Sequence, residues 1–426
     1  MAKADFVNEN FEKVTETYFF RRAPEYLGPF IIFAGLEQVI NFIKNFKFKN
    51  KDIKFLKENY GNFFDDEFLI FLKKLKPRVD AYSVKEGTPV FAKEPILHVT
   101  GNTIVVQLFE TYLLNTLNFQ SLIATKAFRC CYAAKEKDVI DFGARRAHSQ
   151  QAALYAARAS YIGGVKATSL VLASKFFGIK AVGTVAHKFI QERDDEEKAF
   201  KDFLKVFPNS ILVIDTYDTI KAAKKVVKLC KEGYKIAGVR IDSGDLLKLS
   251  KKVRKIFDKN GLKSIKIFAS GDLDEYKIDY LIRNKAPIDA FGVGTRLVTG
   301  ANYDSIRNKG SVSALNGIYK LVEVYRNGKI IPKFKLGSKE KIVPPFKKQI
   351  FRIVKNGKFK KDIVGLWNED INGEKLLIKI MENGKLVYKL PKLDEIREYC
   401  EKQMRMLDDK YKRISNWENY PIEFSK

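Results

Sequence analysis

The chain has few of the residues on which several protein classes depend. Its 426 residues include four cysteines, and these form no CxxC pair and have no histidine cluster near them, which argues against a disulfide framework and against a cysteine zinc site. The sequence also lacks an apolar run of roughly 18 residues, the length that a membrane-spanning helix needs. The charged start, 1-MAKADFVNENFEK-13, is unlike a secretory signal. We therefore expect a cytoplasmic protein with no membrane partner.

Acidic residues are scarce relative to basic ones. Asp and Glu number 51 against 78 Lys and Arg, which gives a formal net charge of +27. Such an excess can attract nucleic acid or a phosphate-rich small molecule. The basic residues are mostly lysines spread along the chain, whereas nucleic-acid surfaces favour arginine patches with interleaved aromatic rings. We therefore expect no nucleic-acid partner, although the charge could speed the capture of an anionic small molecule.

What the sequence does contain is a repeated pattern in its middle third. Five apolar segments each end in a polar or glycine-bearing residue, and helical patterns follow at least three of them. A strand followed by a helix, repeated about every 25–30 residues, is typical of a βα barrel or a doubly wound sheet. Chemistry in such folds gathers beyond the carboxyl ends of the strands. The five segments are 179–187, 211–216, 235–245, 265–272 and 288–296.

The flanking thirds carry different patterns. Asn-Gly, which tolerates the positive φ angles of tight hairpin turns, occurs four times after the repeat and predicts an antiparallel β module that packs back on the N-terminal third. The four pairs begin at Asn327, Asn356, Asn372 and Asn383. Apolar spacing and end signals predict helices at 35–48, 104–135, 218–233, 245–260 and 393–409, and two short strands within 79–91.

Several strand-end residues could bind a flat anion. In 141-DFGARRAHSQQ-151, Arg145 and Arg146 could grip a carboxylate or phosphate, and Phe142 could stack on a ring. A basic helix start on the surface would explain the same residues. His187 is one of three histidines and follows a Gly-Thr pair directly after an apolar segment, so we expect a functional role for it.

Later motifs supply an ion pair and glycines. Arg240 and Asp242 lie two residues apart on a predicted strand and so face the same side. They could form a simple ion pair, or they could hold an anionic ring substituent and a sugar hydroxyl or Mg²⁺. The motifs 270-SGDLD-274 and 291-FGVGTR-296 end later strands with glycines, whose exposed backbone N–H groups can cradle phosphate. The order of these motifs within one barrel is a stronger signal than any of them alone.

At these residues the chain resembles the nicotinate phosphoribosyltransferases of the type II phosphoribosyltransferase superfamily. The resemblance runs from about Phe33 almost to the C-terminus. It is carried by 32-IFAGLEQVI-40, 84-VKEGTPVF-91, 113-LLNTLNFQSLIATKA-127, 141-DFGARRA-147, 161-YIGG-164, 183-GTVAH-187, 213-VIDTYDT-219, 239-VRIDSGDL-246, 270-SGDLDEY-276, 290-AFGVGTRLVT-299 and 318-IYKLV-322.

The resemblance implies an α/β fold in which an interrupted βα barrel carries the active site and an α+β domain is formed from both ends of the chain. The expected ranges are 1–110 and 313–426 for the α+β domain and 111–312 for the barrel. It also implies a homodimer with sites completed across the interface. The implied reaction joins nicotinate to phosphoribosyl pyrophosphate, with Mg²⁺ as cofactor and ATP as co-substrate hydrolysed through a phosphorylated histidine.

The resemblance also assigns roles to individual residues. Phe142 would stack on the pyridine ring, Arg240 would face its carboxylate, and Arg145 would contact phosphate or ring. Asp242 would hold ribose hydroxyls or Mg²⁺, with Asp272 as a second Mg²⁺ ligand, and His187 would be phosphorylated by ATP. Three glycines at two strand ends would cradle the 5′-phosphate, and other strand-end residues would complete the substrate site. These remaining members are Gly271, Gly292, Gly294, Asp215, Ser270 and Thr295.

Two alternatives to this function stay open on the sequence. The first alternative is a nicotinamide-type transferase. Ser169 argues against it, because the related nicotinamide enzymes place an Asp there, whereas a hydroxyl would not repel the carboxylate of nicotinate. The second is a catalytically impaired barrel kept as a binding protein. Two departures from the family support it. The family's N-terminal Thr-Asp-x-Tyr motif is not recognisable in the sequence, and Lys166 and Leu170 stand where the family usually has Asp and Asn.

Overall fold

The computed structural model describes residues 1–304, 309–311, 314–334 and 344–425. The chain forms two compact units, one from Met1–Leu122 with Ala314–Lys426 and the other from Ile123–Ser313. Both ends of the chain therefore belong to one unit. The predicted first boundary, between residues 110 and 111, falls earlier in the same long helix that contains the boundary between the units.

The N-terminal part of the first unit alternates short helices with strands. Its elements are α1 (Ala2–Val7), β1 (Lys13–Phe20), β2 (Phe30–Ile32), α2 (Leu36–Asn45), α3 (Asn50–Tyr60), α4 (Asp66–Lys74), β3 (Val79–Ser83), β4 (Pro89–Phe91), β5 (Leu97–Asn102) and the long α5 (Thr103–Ala134), which continues into the second unit.

The second unit carries the strand–helix repeat. Its elements after α5 are β6 (Asp138–Asp141), α6 (Gln150–Ile162), β7 (Ala167–Thr168), α7 (Val171–Phe177), α8 (His187–Gln191), α9 (Glu196–Val206), β8 (Ser210–Val213), α10 (Thr219–Lys231), β9 (Ile236–Ile241), α11 (Leu246–Lys259), β10 (Lys266–Ala269), α12 (Glu275–Arg283), β11 (Ala290–Val293), α13 (Thr295–Val298), β12 (Asn302–Asp304) and β13 (Lys309–Ser311).

The C-terminal part returns to the first unit and consists mainly of antiparallel strands. Its elements are β14 (Gly317–Arg326), β15 (Lys329–Pro332), β16 (Lys348–Lys355), β17 (Lys358–Leu366), β18 (Glu374–Lys375), β19 (Ile378–Glu382), β20 (Lys385–Leu386), α14 (Leu393–Met406), α15 (Asp409–Lys412) and β21 (Ile422–Phe424).

The second unit is built on a six-stranded sheet in the order β7-β6-β11-β10-β9-β8, and all of its strand pairs are parallel. Parallel strands are buried on both faces, which explains their nearly continuous apolar sequences. Helix α10 begins at Asp218, whose carboxylate accepts from the backbone N–H groups of Ile220 and Lys221. The carboxyl ends of all six strands meet at one edge of the sheet, which is where the predicted polar residues lie.

One predicted strand is wrong. Residues 179–187 make only a single parallel bridge, from Ala181 to Thr168, before α8 begins at His187. The Thr168 N–H donates to the carbonyl of Lys180, and the Val182 N–H donates back to Thr168. Because β7 has two residues, it offers no further ladder positions, and the segment leaves the sheet.

The first unit joins the two ends of the chain in one sheet. Strand β1 pairs antiparallel with β5 on one side and with β14 on the other. Three Asn-Gly pairs form the predicted hairpins, with φ of 51°, 53° and 47° at Asn327, Asn356 and Asn383. The fourth prediction is wrong, because the pair at Asn372 precedes β18 and joins no hairpin. A Cβ on Gly373 would lie 3.0 Å from Ile353, so this glycine allows a close approach to β16.

No helix within the described residues combines the length and the apolar character that a membrane crossing requires.

A half-buried carboxyl in the first unit predicts a pH effect on stability. Burial, and to a lesser degree the nearby Glu110, raises the pKa of Glu16 from 4.5 to about 7. A carboxyl with a raised folded-state pKa destabilises the fold above pH 7, where it is ionised in both states, and has no effect below about pH 4.5. Glu16→Gln should therefore raise the free energy of unfolding by about 1–3 kcal/mol at pH 8, with the gain vanishing near pH 4. Urea titrations at both pH values would check this, and an equal gain at both would contradict it.

Candidate active site

A cavity of about 450 Å³ opens at the carboxyl edge of the parallel sheet. Segments that follow β6, β9, β10 and β11 line it, because the loops after parallel strands converge at that edge. Nine residues predicted from the sequence lie in its wall, namely Phe142, Arg145, Arg240, Asp242, Ser270, Gly271, Asp272, Gly294 and Thr295. The sequence thus located most of a shared site although these residues are far apart in the chain.

Asp242 lies at the centre of the polar contacts. Its Oδ1 accepts a hydrogen bond from Arg240 Nη1 at 2.9 Å and another from the Ser270 hydroxyl. Arg240 Nη1 also donates to Ser270 Oγ at 3.1 Å, so each of the three side chains is hydrogen-bonded to the other two. Arg240 Nε is buried and has no hydrogen-bond partner among the described residues. The guanidinium therefore retains a donor for a further acceptor.

His187 lies beside the same carboxylate. Its Nε2 is 3.7 Å from Asp242 Oδ2 and 3.9 Å from Asp215 Oδ1, while its Nδ1 is 3.0 Å from the hydroxyl of Thr216. One third of the His187 side chain is exposed, whereas Asp215 is almost completely buried. The imidazole is thus held on one side by a hydroxyl and faces two carboxylates on the other, with solvent access left.

Asp215 has a structural task that the sequence did not indicate. Its Oδ2 accepts from the backbone N–H of Asp242 at 2.9 Å and from the Ser243 hydroxyl at 2.6 Å. Its Oδ1 is buried and has no hydrogen-bond partner among the described residues. Asp215 therefore fixes the turn that carries Asp242, and its second oxygen faces His187.

Phe142 is placed by its neighbours on β6 and β11. Its backbone N–H donates to the Val293 carbonyl at 2.8 Å, and a Cβ on Gly292 would lie 2.5 Å from its ring. The missing side chain of Gly292 therefore makes room for the aromatic ring. Gly292 is buried beneath that ring and does not line the cavity, so a direct contact with the 5′-phosphate stays a prediction.

Asp141, which directly precedes Phe142, holds the loop after β6 by hydrogen bonds. The buried carboxylate of Asp141 accepts from the Gly143 N–H and from the Thr168 hydroxyl, both at 2.8 Å. Burial raises the pKa of Asp141, and these two hydrogen bonds oppose the rise. The position had no sequence signal beyond its place at the end of β6.

Gly271 is required by the close approach of two strand ends. Its φ is +96°, and a Cβ there would lie 1.8 Å from the carbonyl oxygen of Asp242. The next residue, Asp272, also has a positive φ of 50° and is exposed in the cavity wall. The turn after β10 thus packs its backbone against the turn after β9, and both turns present polar groups to one space.

Besides Gly292, four candidates do not line the cavity. Ser169 is exposed, and its N–H donates to the Asp141 carbonyl at 2.8 Å. His187 and Asp215 are connected to the cavity through Asp242. Asp245, a further strand-end acid, caps α11 by accepting from the Lys248 N–H at 3.0 Å. The role of Ser169 in choosing the substrate stays a prediction, whereas the carboxylate of Asp245 is used as a helix cap.

The cavity wall is rich in positive charge. Arg145, Arg146, Arg240 and Lys277 line it, against the acids Asp242 and Asp272. Arg240 is partly neutralised by Asp242 at 2.9 Å. Lys277 was missed by the sequence reasoning, because it lies inside α12 and follows no strand directly. An excess of cations in a concave site favours a ligand with several negative charges.

The predicted Mg²⁺ ligands are compatible with an ion that is bound by the protein and the substrate together. No group of three or more His, Cys, Asp or Glu side chains in the described ranges could hold a metal alone. Mg²⁺ usually keeps several waters and binds through one or two carboxylates together with substrate phosphates. Asp242 and Asp272 both line the cavity, so this donor set fits an ion that arrives with a phosphorylated substrate.

Comparison with protein families matches three consecutive parts of the chain. Residues 1–118 match the nicotinate phosphoribosyltransferase N-terminal domain, residues 138–352 match the nicotinate phosphoribosyltransferase family, and residues 368–426 match the corresponding C-terminal domain. The matches cover all of the cavity-lining residues.

Relatives with curated names match along nearly the whole chain. The nicotinate phosphoribosyltransferase of Bacillus subtilis is 38% identical over 438 residues, covering 96% of this chain and 87% of that protein. The enzyme of the same name from Dictyostelium discoideum is 35% identical, covering 96% of this chain and 81% of that protein.

Solved structures show the same architecture. Human nicotinic acid phosphoribosyltransferase superimposes with a TM-score of 0.85 at 26% identity, covering 100% of this chain and 96% of that one. A nicotinate-nucleotide pyrophosphorylase from Pyrococcus furiosus gives 0.74 at 29% identity, with 95% and 92% covered. The predicted α/β fold, an interrupted barrel with an α+β domain from both chain ends, is confirmed.

Proposed function

Because the chain belongs to the nicotinate phosphoribosyltransferase family, we propose that it transfers the phosphoribosyl group of phosphoribosyl pyrophosphate to nicotinate. The products are nicotinate mononucleotide, for NAD salvage, and pyrophosphate. The observation that carries this proposal is one cavity that holds an aromatic ring, an arginine–aspartate pair and two glycine-bearing turns. A pyridine carboxylate and a ribose phosphate need these three kinds of group close together.

The reaction places positive charge on the ribose. As the bond from C1 to pyrophosphate breaks, C1 gains oxocarbenium character, and the pyridine nitrogen attacks it. The Asp242 carboxylate is well placed to hold ribose hydroxyls and to stabilise that charge, because Arg240 and Ser270 fix its orientation. Arg145, Arg146 and Lys277 would attract the phosphates. A bound Mg²⁺ would neutralise the leaving pyrophosphate, with Asp242 and Asp272 as its protein ligands.

Nicotinate would be held by one ring contact and one charge contact. Phe142 offers a ring face that Gly292 and the backbone of β11 hold in place. Arg240 offers its guanidinium. No described residue accepts a hydrogen bond from its Nε, so this donor is available to the substrate. Both contacts are made in substrate and transition state alike, so they should act mainly on the affinity for nicotinate.

Arg240→Ala should therefore raise KM for nicotinate about 10–100-fold, the range expected for one charge-assisted contact. KM for phosphoribosyl pyrophosphate should change less than about threefold, since other cations face its phosphates. Arg283→Ala is the matched control, because Arg283 lies in the same unit and pairs with Asp279 while two thirds exposed. Steady-state kinetics with each substrate varied would check the split. Equal rises in both KM values would remove the carboxylate role of Arg240.

ATP coupling is the second part of the proposal. A ring nitrogen of His187 would attack the γ-phosphorus of ATP, ADP would leave, and water would later release the phosphoryl group as inorganic phosphate. The support is local: the Thr216 hydroxyl holds Nδ1, Nε2 faces Asp215 and Asp242, and the ring is partly exposed. The same Asp242 contacts Arg240, so a change in charge on His187 would be felt directly at the substrate site.

We further propose that the protein is a homodimer. Three apolar side chains on the short helix α7 are exposed, at 72% for Val171, 42% for Leu172 and 62% for Phe176. Several large apolar side chains exposed on one short helix favour a protein contact. Helix α7 directly follows Ser169 and Leu170, so a contact there would lie next to the predicted specificity position. Sedimentation equilibrium would test this, and a monomeric mass at micromolar concentration would contradict it.

The central test is product formation. The purified chain should convert nicotinate and phosphoribosyl pyrophosphate to nicotinate mononucleotide, faster with ATP than without it, and should prefer nicotinate to nicotinamide. Chromatography of the pyridine nucleotides would measure both. A preference for nicotinamide would favour the nicotinamide-type transferase. Normal folding with no product from either pyridine would favour an inactive binding protein and would reject the proposed reaction.

A further inference from the structure

A cluster of buried charges lies in the second unit near the cavity wall. Lys126 Nζ is 2.7 Å from Glu275 Oε2, and Arg129 Nε is 3.4 Å from Glu275 Oε1. All three side chains are completely buried. Taking such charges out of water often costs more free energy than their attraction returns, and apolar replacements of similar volume are often as stable. Stability alone therefore gives a weak reason for this cluster.

The cluster is attached to the turn that follows β10. Glu275 is the first residue of α12 and comes directly after the segment that contains Gly271 and Asp272, both in the cavity wall. Burial opposes the ionisation of Glu275, but the charges of Lys126 and Arg129 outweigh it and hold the pKa of Glu275 below its ordinary value. The carboxylate is thus charged and tied at both oxygens to cations of α5.

Its neighbour Asp274 extends the contacts to a second part of the wall. Asp274 Oδ1 accepts from the backbone N–H groups of Tyr276 and Lys277, at 3.1 and 2.9 Å, and so caps the helix that carries Lys277 into the cavity. Asp274 Oδ2 is 3.8 Å from Arg296 Nη1, and Arg296 directly follows Thr295. The adjacent acids Asp274 and Glu275 therefore connect the turn after β10 to helix α5 and to the turn after β11.

We propose that Glu275 is a positioning residue for phosphoribosyl pyrophosphate: by anchoring the start of α12 to Lys126 and Arg129, it fixes the turns that present Gly271, Asp272 and Lys277. This inference rests on the proposed function. A displacement of about 1 Å in a substrate-holding group can cost about 100-fold in rate, so a rigid anchor behind these turns matters. Nicotinate is held by Phe142 and Arg240 on other strands, and its site should depend less on the anchor.

Glu275→Gln keeps the size of the side chain and removes its charge. In the full-length protein, the variant should bind phosphoribosyl pyrophosphate about tenfold more weakly by calorimetry, and KM for that substrate should rise by a similar factor. KM for nicotinate should stay within about twofold. A variant that is only less stable would instead lose active fraction, lowering kcat at unchanged KM. The split between the two KM values therefore separates positioning from stability.

Asp362→Asn is the matched control. Asp362 forms an equally buried pair with Arg352, Oδ2 to Nη2 at 2.6 Å, in the other unit. It should lower the Tm and leave both KM values unchanged. If Glu275→Gln does not fold, the double variant Lys126→Gln/Glu275→Gln, which removes one buried cation together with the buried acid, takes its place with the same expectation. A lower Tm with unchanged binding of phosphoribosyl pyrophosphate would overturn the inference. Failure of the unaltered protein to bind that compound would instead overturn the proposed function.

Discussion

Asp242→Asn should lower kcat/KM by about three orders of magnitude, the loss seen when one electrostatic group that acts in a transition state is removed. The amide keeps the shape of the carboxylate but has no negative charge to oppose the charge that develops at C1 of the ribose. It also leaves Arg240 without the ion-pair partner that now lies 2.9 Å from its Nη1. Both the ribose and the nicotinate sides of the site should therefore suffer.

The control for this variant lies three residues away. Asp245 follows the same strand but caps α11, and its side chain is about half exposed. Asparagine is an equally good cap, so Asp245→Asn should keep kcat/KM within about twofold. Steady-state kinetics on both variants, with circular dichroism to show that each is folded, would decide the matter. Comparable losses in the two variants would mean that the turn as a whole, rather than the Asp242 carboxylate, supports activity.

His187→Ala should abolish the stimulation by ATP completely while some transfer without ATP remains. The imidazole is the group that would accept the phosphoryl group, whereas the proposed contacts of Arg240, Asp242 and Phe142 with substrate would not pass through it. Label from γ-³²P-ATP should appear on the unaltered protein as an acid-labile, base-stable phosphate and should be absent from the variant. The assay compares initial rates with and without ATP, together with the retained label.

His148→Ala is the comparison for that result. His148 is exposed in the loop before α6 and is not among the residues that line the cavity. Its variant should keep both the label and the stimulation. Undiminished ATP stimulation in His187→Ala would show that the phosphoryl group is carried elsewhere, and label without stimulation would separate phosphorylation from coupling.

Local sequence signals predicted most of the secondary structure because they depend on neighbours in the chain. Helix α11 was expected at 245–260 and spans Leu246–Lys259, since its apolar stripe and its cap lie within a few residues of each other. Three Asn-Gly turns were predicted for the same reason. The signal failed at residues 179–187, where an apolar segment found only one bridge to a two-residue strand. The local sequence could not show this, because the outcome depended on the short length of the partner strand β7.

The candidate site divides in the same way. Arg240, Asp242 and Gly271 could be predicted because the ends of parallel strands meet at one edge whatever else the chain does. Lys277 was missed because its place in the wall depends on the direction in which α12 leaves β10. Lys126 was visible only as a polar residue in an apolar helix, and nothing in the sequence near it named Glu275 as its partner.

The sequence by itself determined the repeat of strands and helices, the polar residues that end the strands, and the family to which the chain belongs. Tertiary structure alone decided which of those residues face one cavity and which make room for others. The physical reason is that strand order and helix packing set distances of a few ångströms between residues more than 100 positions apart, such as Lys126 and Glu275. No pattern along the chain encodes such a distance directly.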